Sequence, residues 1–135
     1  GNLYSLTTDN KIWIGNVNGT SEIIEDALLD ENSKIISFKD GFYASNQNTL
    51  RYLSSNNTNE ISLVFEGLIH HISIYDEYLF VCTENKLYLL KDNNIIDGFP
   101  IDSDGLFNIL DINNNNKLNI VNIKNGFMYN YELID

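Results

Sequence analysis

The stretch whose residue types and spacing come nearest to chemistry is Asp111-Ile-Asn113-Asn-Asn115-Asn116-Lys117-Leu-Asn119, with oxygen-bearing side chains at its first, third, fifth and ninth positions. Calcium takes about six to eight oxygen ligands, and loops of this kind supply them from positions 1, 3, 5 and 9, with a backbone carbonyl from position 7. Those positions are Asp111, Asn113, Asn115 and Asn119, with the carbonyl of Lys117. Asn116, at position 6, can take the left-handed conformation that the turn requires. Asp111 is the only carboxylate of the set. One charge and several neutral amides hold a divalent cation poorly, so the loop is expected to bind calcium weakly at most and to serve chiefly as an Asn-rich turn between strands.

The other chemically suggestive residues read more simply. His70 and His71 are adjacent; on a strand their rings point to opposite faces and do not share one ion without distortion. Cys82 is the only cysteine and lies in the apolar run YLFVC, where a small buried side chain is expected rather than a reactive thiolate, which needs an exposed electropositive setting. Glu22, Glu25, Asp26, Asp30 and Glu31 crowd one turn and read as a solvated rim. No nucleophile elbow, glycine-rich phosphate loop, zinc-binding helix or fixed carboxylate pair is present, so no catalytic or cofactor-binding residue is assigned. The sequons Asn18-Gly-Thr20 and Asn56-Asn-Thr58 are what chance provides in so Asn-rich a chain.

With 135 residues, 43% of them hydrophobic, the chain is about one domain long and able to bury a core. Its net charge of −11, with eight Lys and Arg in no cluster, opposes nucleic-acid phosphates and acidic membrane surfaces. No apolar run approaches the roughly 20 residues of a membrane helix, and no basic-then-apolar leader opens the sequence.

The elements that would position these residues are short strands separated by turns. NLYSLTT, KIWIGNV and TSEIIE form a first set, with Asp9-Asn10 and Asn18-Gly19 between them. KIISF, FYAS, LRYL and ISLVF form a second; HISIY, YLFVCT, KLYLL and IIDGFPI a third; FNILDI, LNIVNI and FMYNYEL a fourth. The segment EIIEDALLDEN also fits one amphipathic helical turn, with Ile23, Ala27 and Leu28 at helical spacing. Labelling the strands of a four-stranded unit a to d, the chain reads bcd, abcd, abcd, abc, over approximately 1–32, 33–67, 68–104 and 105–135. Repetition in short strands at a period of about 35 to 45 residues predicts four-stranded antiparallel blades of a β-propeller. The fold expected is all-β, a partial β-propeller domain over 1–135 and part of a larger one. Tyr43, Tyr52, Tyr78, Tyr88, Tyr129 and Tyr131 fall at strand positions suited to packing between blades.

The segments KLYLLKDNNIIDGFPID and LFNILDINNNNKLNIVNIKNGFMYNYEL resemble the repeats of bacterial secreted β-propellers of the FG-GAP/VCBS and quinoprotein-like kind. Those repeats have a "pGFPi" segment, a D-x-N-x-D-G loop and an "NG-hydrophobic-Tyr" hairpin. The opening GNLYSLTTDNKIWIGNVNG is similar to their b–c hairpin. The family has acids at loop positions 5 and 9 and usually glycine at 6, where this chain has Asn115, Asn119 and Asn116. The resemblance implies several blades and an extracellular, cell-surface or periplasmic address, but no ligand, since one fold hosts many functions. Sets lacking strand a at one end and strand d at the other are expected to pair with further blades of the same propeller or with a second copy. The function expected is a non-catalytic scaffold or binder of protein or glycan. The alternative is a fragment of a catalytic propeller, a polysaccharide lyase or hydrolase, with its active residues mostly in other blades.

Overall fold

The computed structural model describes residues 2–25, 28–54, 60–102, 107–112, 117–122 and 125–132, with the side chains of 107–112 excepted. Its regular structure is entirely β, as alternating apolar strands with Asn, Asp and Gly between them require. The chain divides into two compact units, Gly1–Phe65 and Glu66–Asp135.

The first unit holds two sheets. In one, β1 (Asn2–Leu6), β2 (Ile12–Asn16) and β3 (Ser21–Ile24) run in that order, antiparallel. In the other, β4 (Ile35–Phe38), β5 (Gly41–Asn46), β6 (Thr49–Ser54) and β7 (Glu60–Val64) do the same. The sheets share an apolar cluster of Tyr4, Ile12, Leu29, Phe42 and Ala44, with Ile14, Ile24, Ile35 and Leu53 against it. The Tyr4 and Phe42 rings meet at 4.6 Å, and the backbone N–H of Tyr4 donates to Ser37 Oγ at 2.9 Å.

The second unit opens with β8 (Ile69–Tyr75), β9 (Tyr78–Thr83) and β10 (Lys86–Lys91), and closes with β13 (Phe107–Ile112), β14 (Lys117–Asn122) and β15 (Met128–Glu132), each set antiparallel in sequence order. Tyr78, Phe80, Cys82, Leu87, Leu89 and Ile96 form one cluster with Leu118 and Ile120. Leu118, Ile120 and Asn122 are buried while the alternating Lys117, Asn119 and Val121 are not, the period of two that a half-buried strand imposes.

Between β10 and β13 the structure departs from expectation. Instead of one strand over Ile95–Ile101 there are two short ones, β11 (Asn94–Ile95) and β12 (Ile101–Asp102), both paired with β10. Gly98 at φ 93° and Pro100, which follows a cis peptide bond, interrupt the run; proline has no N–H to give the ladder. The helical alternative over 22–32 also fails among the described residues. β3 runs to Ile24, and Asp30 then organises a turn, accepting from the N–H of Asn32 at 2.9 Å through its side chain and from the N–H of Ser33 at 3.1 Å through its carbonyl. A short acidic side chain that binds nearby backbone competes with helix.

Burial grades across the sheets. The central strands β5 and β9 are buried along almost their whole length, and β3, β7 and β15 are largely exposed.

Candidate functional site

The hairpin of β13 and β14 carries the calcium-like loop. Asp111 and Asn119 are direct cross-strand partners, after a register shift between Ile109 and Asp111, so loop positions 1 and 9 meet at its mouth. Lys117 opens β14, exposed, opposite Glu132 of β15. Asn119 is half-buried, opposite Asn130. Asn113 and Asn115 lie outside the described residues, and so does Asn116. Among the described residues, no three His, Cys, Asp or Glu side chains converge as a metal group. The hairpin brings the ends of the ligand series together, but it offers one charged group for the cation.

The remaining sequence candidates disperse. His70 is exposed and His71 half-buried on β8, where a register shift falls between Ile69 and His71. The His71 ring stands edge-on to Phe80 at 6.3 Å. Cys82 is fully buried in the second unit's cluster. Among the described residues of the acidic turn, Glu25 pairs with Lys11 at 3.3 Å and Asp30 serves its own turn; Asp26 lies outside the described residues. Of the six strand tyrosines, Tyr78 and Tyr88 are buried in the second unit and the other four meet in two pairs. Tyr43 and Tyr52 meet at 4.8 Å in the first unit; Tyr129 and Tyr131 lie near-parallel at 6.4 Å in the second, with Phe99 5.6 Å from Tyr131. Burial raises the pKa of the Tyr52 and Tyr131 phenols above 10.0, so both stay neutral donors at ordinary pH.

A polar cavity in the first unit draws on a residue to which the sequence assigned no role. Arg51, the only arginine of the chain, sits on β6 opposite Ala44 and Ser62 and is 6% exposed. Cross-strand partners share a face, so Arg51 projects on the side of Ala44 and Leu53 that packs in the apolar cluster. Its Nη1 lies 3.4 Å from Glu60 Oε1. The tight turn from β5 to β6, with Gln47 at φ 55°, places Asn46, Gln47, Asn48 and Thr49 next to it. Together with Leu28 they line a cavity of about 220 Å³. The Asn48 side-chain amide donates to the Phe65 carbonyl at 3.4 Å. Asn46 Nδ2 donates to the Leu28 carbonyl, which fixes the amide's orientation, and Asn46 Oδ1 is enclosed with no hydrogen-bond partner. The one sequence signal for this place is a charged residue at an inward position of the strand LRYL.

In the second unit, Lys86 Nζ reaches Asp102 Oδ1 at 2.8 Å and pins β12 to β10. That hydrogen bond lowers the Asp102 pKa from its ordinary 3.8 and raises the Lys86 pKa from 10.5. No protein-family model matches the sequence, and no curated protein matches it either.

Proposed function

We propose that the chain is a run of β-propeller blades from a bacterial extracellular or cell-surface protein, and that it is a non-catalytic module for binding protein or glycan. The observation that carries the reading is the succession of four antiparallel sheets, each made of consecutive strands, with one apolar cluster shared by the two sheets of each unit. Buried central strands and exposed outer ones are the grading that stacked blades require. On this reading the outer sheet edges meet further blades of the same propeller or a second copy. A net charge of −11 turns the module away from nucleic acid and toward neutral or basic partners.

The test is to incubate the chain with a panel of soluble polysaccharides, reading both retention of the protein and release of new sugar ends. Retention without new ends is the expected result. Release of new ends that depends on the chain would overturn the non-catalytic reading in favour of a lyase or hydrolase.

A further inference from the structure

The geometry points to a saccharide-binding site in the cavity beside the β5–β6 turn, taking one neutral sugar ring with adjacent hydroxyls. The inference rests on the glycan arm of the function proposed above and names the place on the chain where the sugar sits.

Asn46 Oδ1 is an acceptor without a donor, in an enclosed position on the wall of an open cavity. A buried polar atom left unsatisfied costs about 1–3 kcal/mol and is uncommon enough to call for a physical reason. Its own Nδ2 faces the Leu28 carbonyl, and turning the amide over would set two oxygens against each other. What the cavity lacks is a hydrogen-bond donor brought from outside.

Arg51 sets the second requirement. It is a donor-only guanidinium with five N–H groups in a fixed fork, so a group meeting both residues has to donate to Asn46 and accept from Arg51. A hydroxyl can do both, and two neighbouring hydroxyls can divide the two roles. A bare carboxylate meets the arginine and leaves Asn46 Oδ1 unpaired. Charge argues the same way: Glu60 already balances Arg51 at 3.4 Å, and the chain as a whole is at −11, so a further anion is opposed at long range.

Size and lining complete the case. A cavity of about 220 Å³ displaces about seven waters at about 30 Å³ each, which is room for a single ring. The Thr49 hydroxyl and the Gln47 amide add donors and acceptors on the wall. Leu28, 53% exposed, gives an apolar flank for the C–H face of a ring. Five polar side chains and a single apolar one suit a hydroxyl-rich ligand better than an apolar one.

The experiment is a titration of the ¹⁵N-labelled chain with glucose, galactose and mannose, and separately with glucuronate and acetate, following the Asn46 and Gln47 side-chain amides and the Arg51 Nε–H. The expected result is saturable movement of these signals with at least one neutral sugar, weakened at least tenfold in Asn46→Ala and in Thr49→Val. The threonine variant keeps a β-branched residue at the start of β6 and guards against a folding failure at Asn46. Movement with acetate and glucuronate but with none of the neutral sugars would overturn the inference in favour of an anion pocket. No movement with any probe, together with a water cross-peak at the Asn46 amide, would overturn it in favour of a hydrated cavity. Saturable shifts confined to other residues would overturn this site and leave the glycan reading standing.

Discussion

Arg51 Nη1 lies 3.4 Å from Glu60 Oε1, one partner with a side chain 7% exposed and the other 49% exposed. The pair is thus half a surface ion pair, and its worth follows the exposed partner. Glu60→Gln is expected to cost about 0.5–1 kcal/mol, a loss that shrinks as salt is raised. Urea denaturation at low and high ionic strength measures both. A salt-independent loss above about 3 kcal/mol would instead mark the pair as fully desolvated.

The Lys86–Asp102 contact sets a pH window for the docking of β12. A carboxyl whose folded pKa is lowered contributes stability above its unfolded value and loses it as pH falls through the folded one. For Asp102 the ordinary value is 3.8 and the shift is downward, caused first by the hydrogen bond from Lys86. Lys86, raised from 10.5, contributes fully below that value and loses its part as pH rises through its folded pKa. The link is therefore intact through the neutral range and released only at the two extremes. A carboxyl-carbon titration by NMR should place the Asp102 midpoint below 3.8, and Lys86→Met should return it towards 3.8.

Gly41, at the start of β5, has no room for a methyl group: a Cβ there would run into the backbone carbonyl of Leu53 on the paired strand. Gly41→Ala is expected to cost about 2–3 kcal/mol, the upper range for overpacking against backbone that cannot move aside. Gly19 has open space around its Cβ position but sits at φ 81°, so Gly19→Ala should cost about 1 kcal/mol from backbone strain alone. Thermal melts of the two variants should rank in that order.

The β13–β14 loop should respond to charge rather than to shape. With Asp111 its only carboxylate, the melting temperature is expected to be the same in EDTA and in about 0.1 mM calcium, the lower edge of the range in which weak extracellular sites fill. Placing acids at positions 5 and 9, as Asn115→Asp with Asn119→Asp, should create a calcium-dependent rise, because a cation that binds only the folded state stabilises it in proportion to ln(1 + [L]/Kd). Failure of the double variant to respond would mean that the hairpin cannot gather the ligands.

Strands were legible in the sequence because their signal is local. Alternation in KLNIVN and the Asn-Gly turns at 18–19 and 125–126 each act over a few residues, and the chain adopts them: the N–H of Gly19 donates to the Asn16 carbonyl and that of Gly126 to the Asn122 carbonyl. The turns at Asp40-Gly41 and Asn48 are marked in the same way, although the residues that take the positive φ there are their neighbours Lys39 and Gln47, at 52° and 55°. The division of Ile95–Ile101 into β11 and β12 depended on Gly98 and Pro100, visible in the string and outweighed there by the apolar run around them. Of the candidate sites, the loop could be read because ligand spacing is a property of sequence. The Arg51 cavity could not be, because it arises where Leu28 meets a turn eighteen residues on at Asn46.

The burial of β9 from Tyr78 to Thr83 makes this strand a clock for the second unit. Its central amides should exchange with deuterium only when the unit opens as a whole, while those of β15 exchange through fraying. Cys82 stands on that strand with no exposed surface, so the rate at which a thiol reagent labels it reports the same opening event by independent chemistry. Agreement between the two rates would identify β9 as the last strand to let go, and a thiol that reacted faster than its neighbours' amides would reveal a smaller opening beside β10.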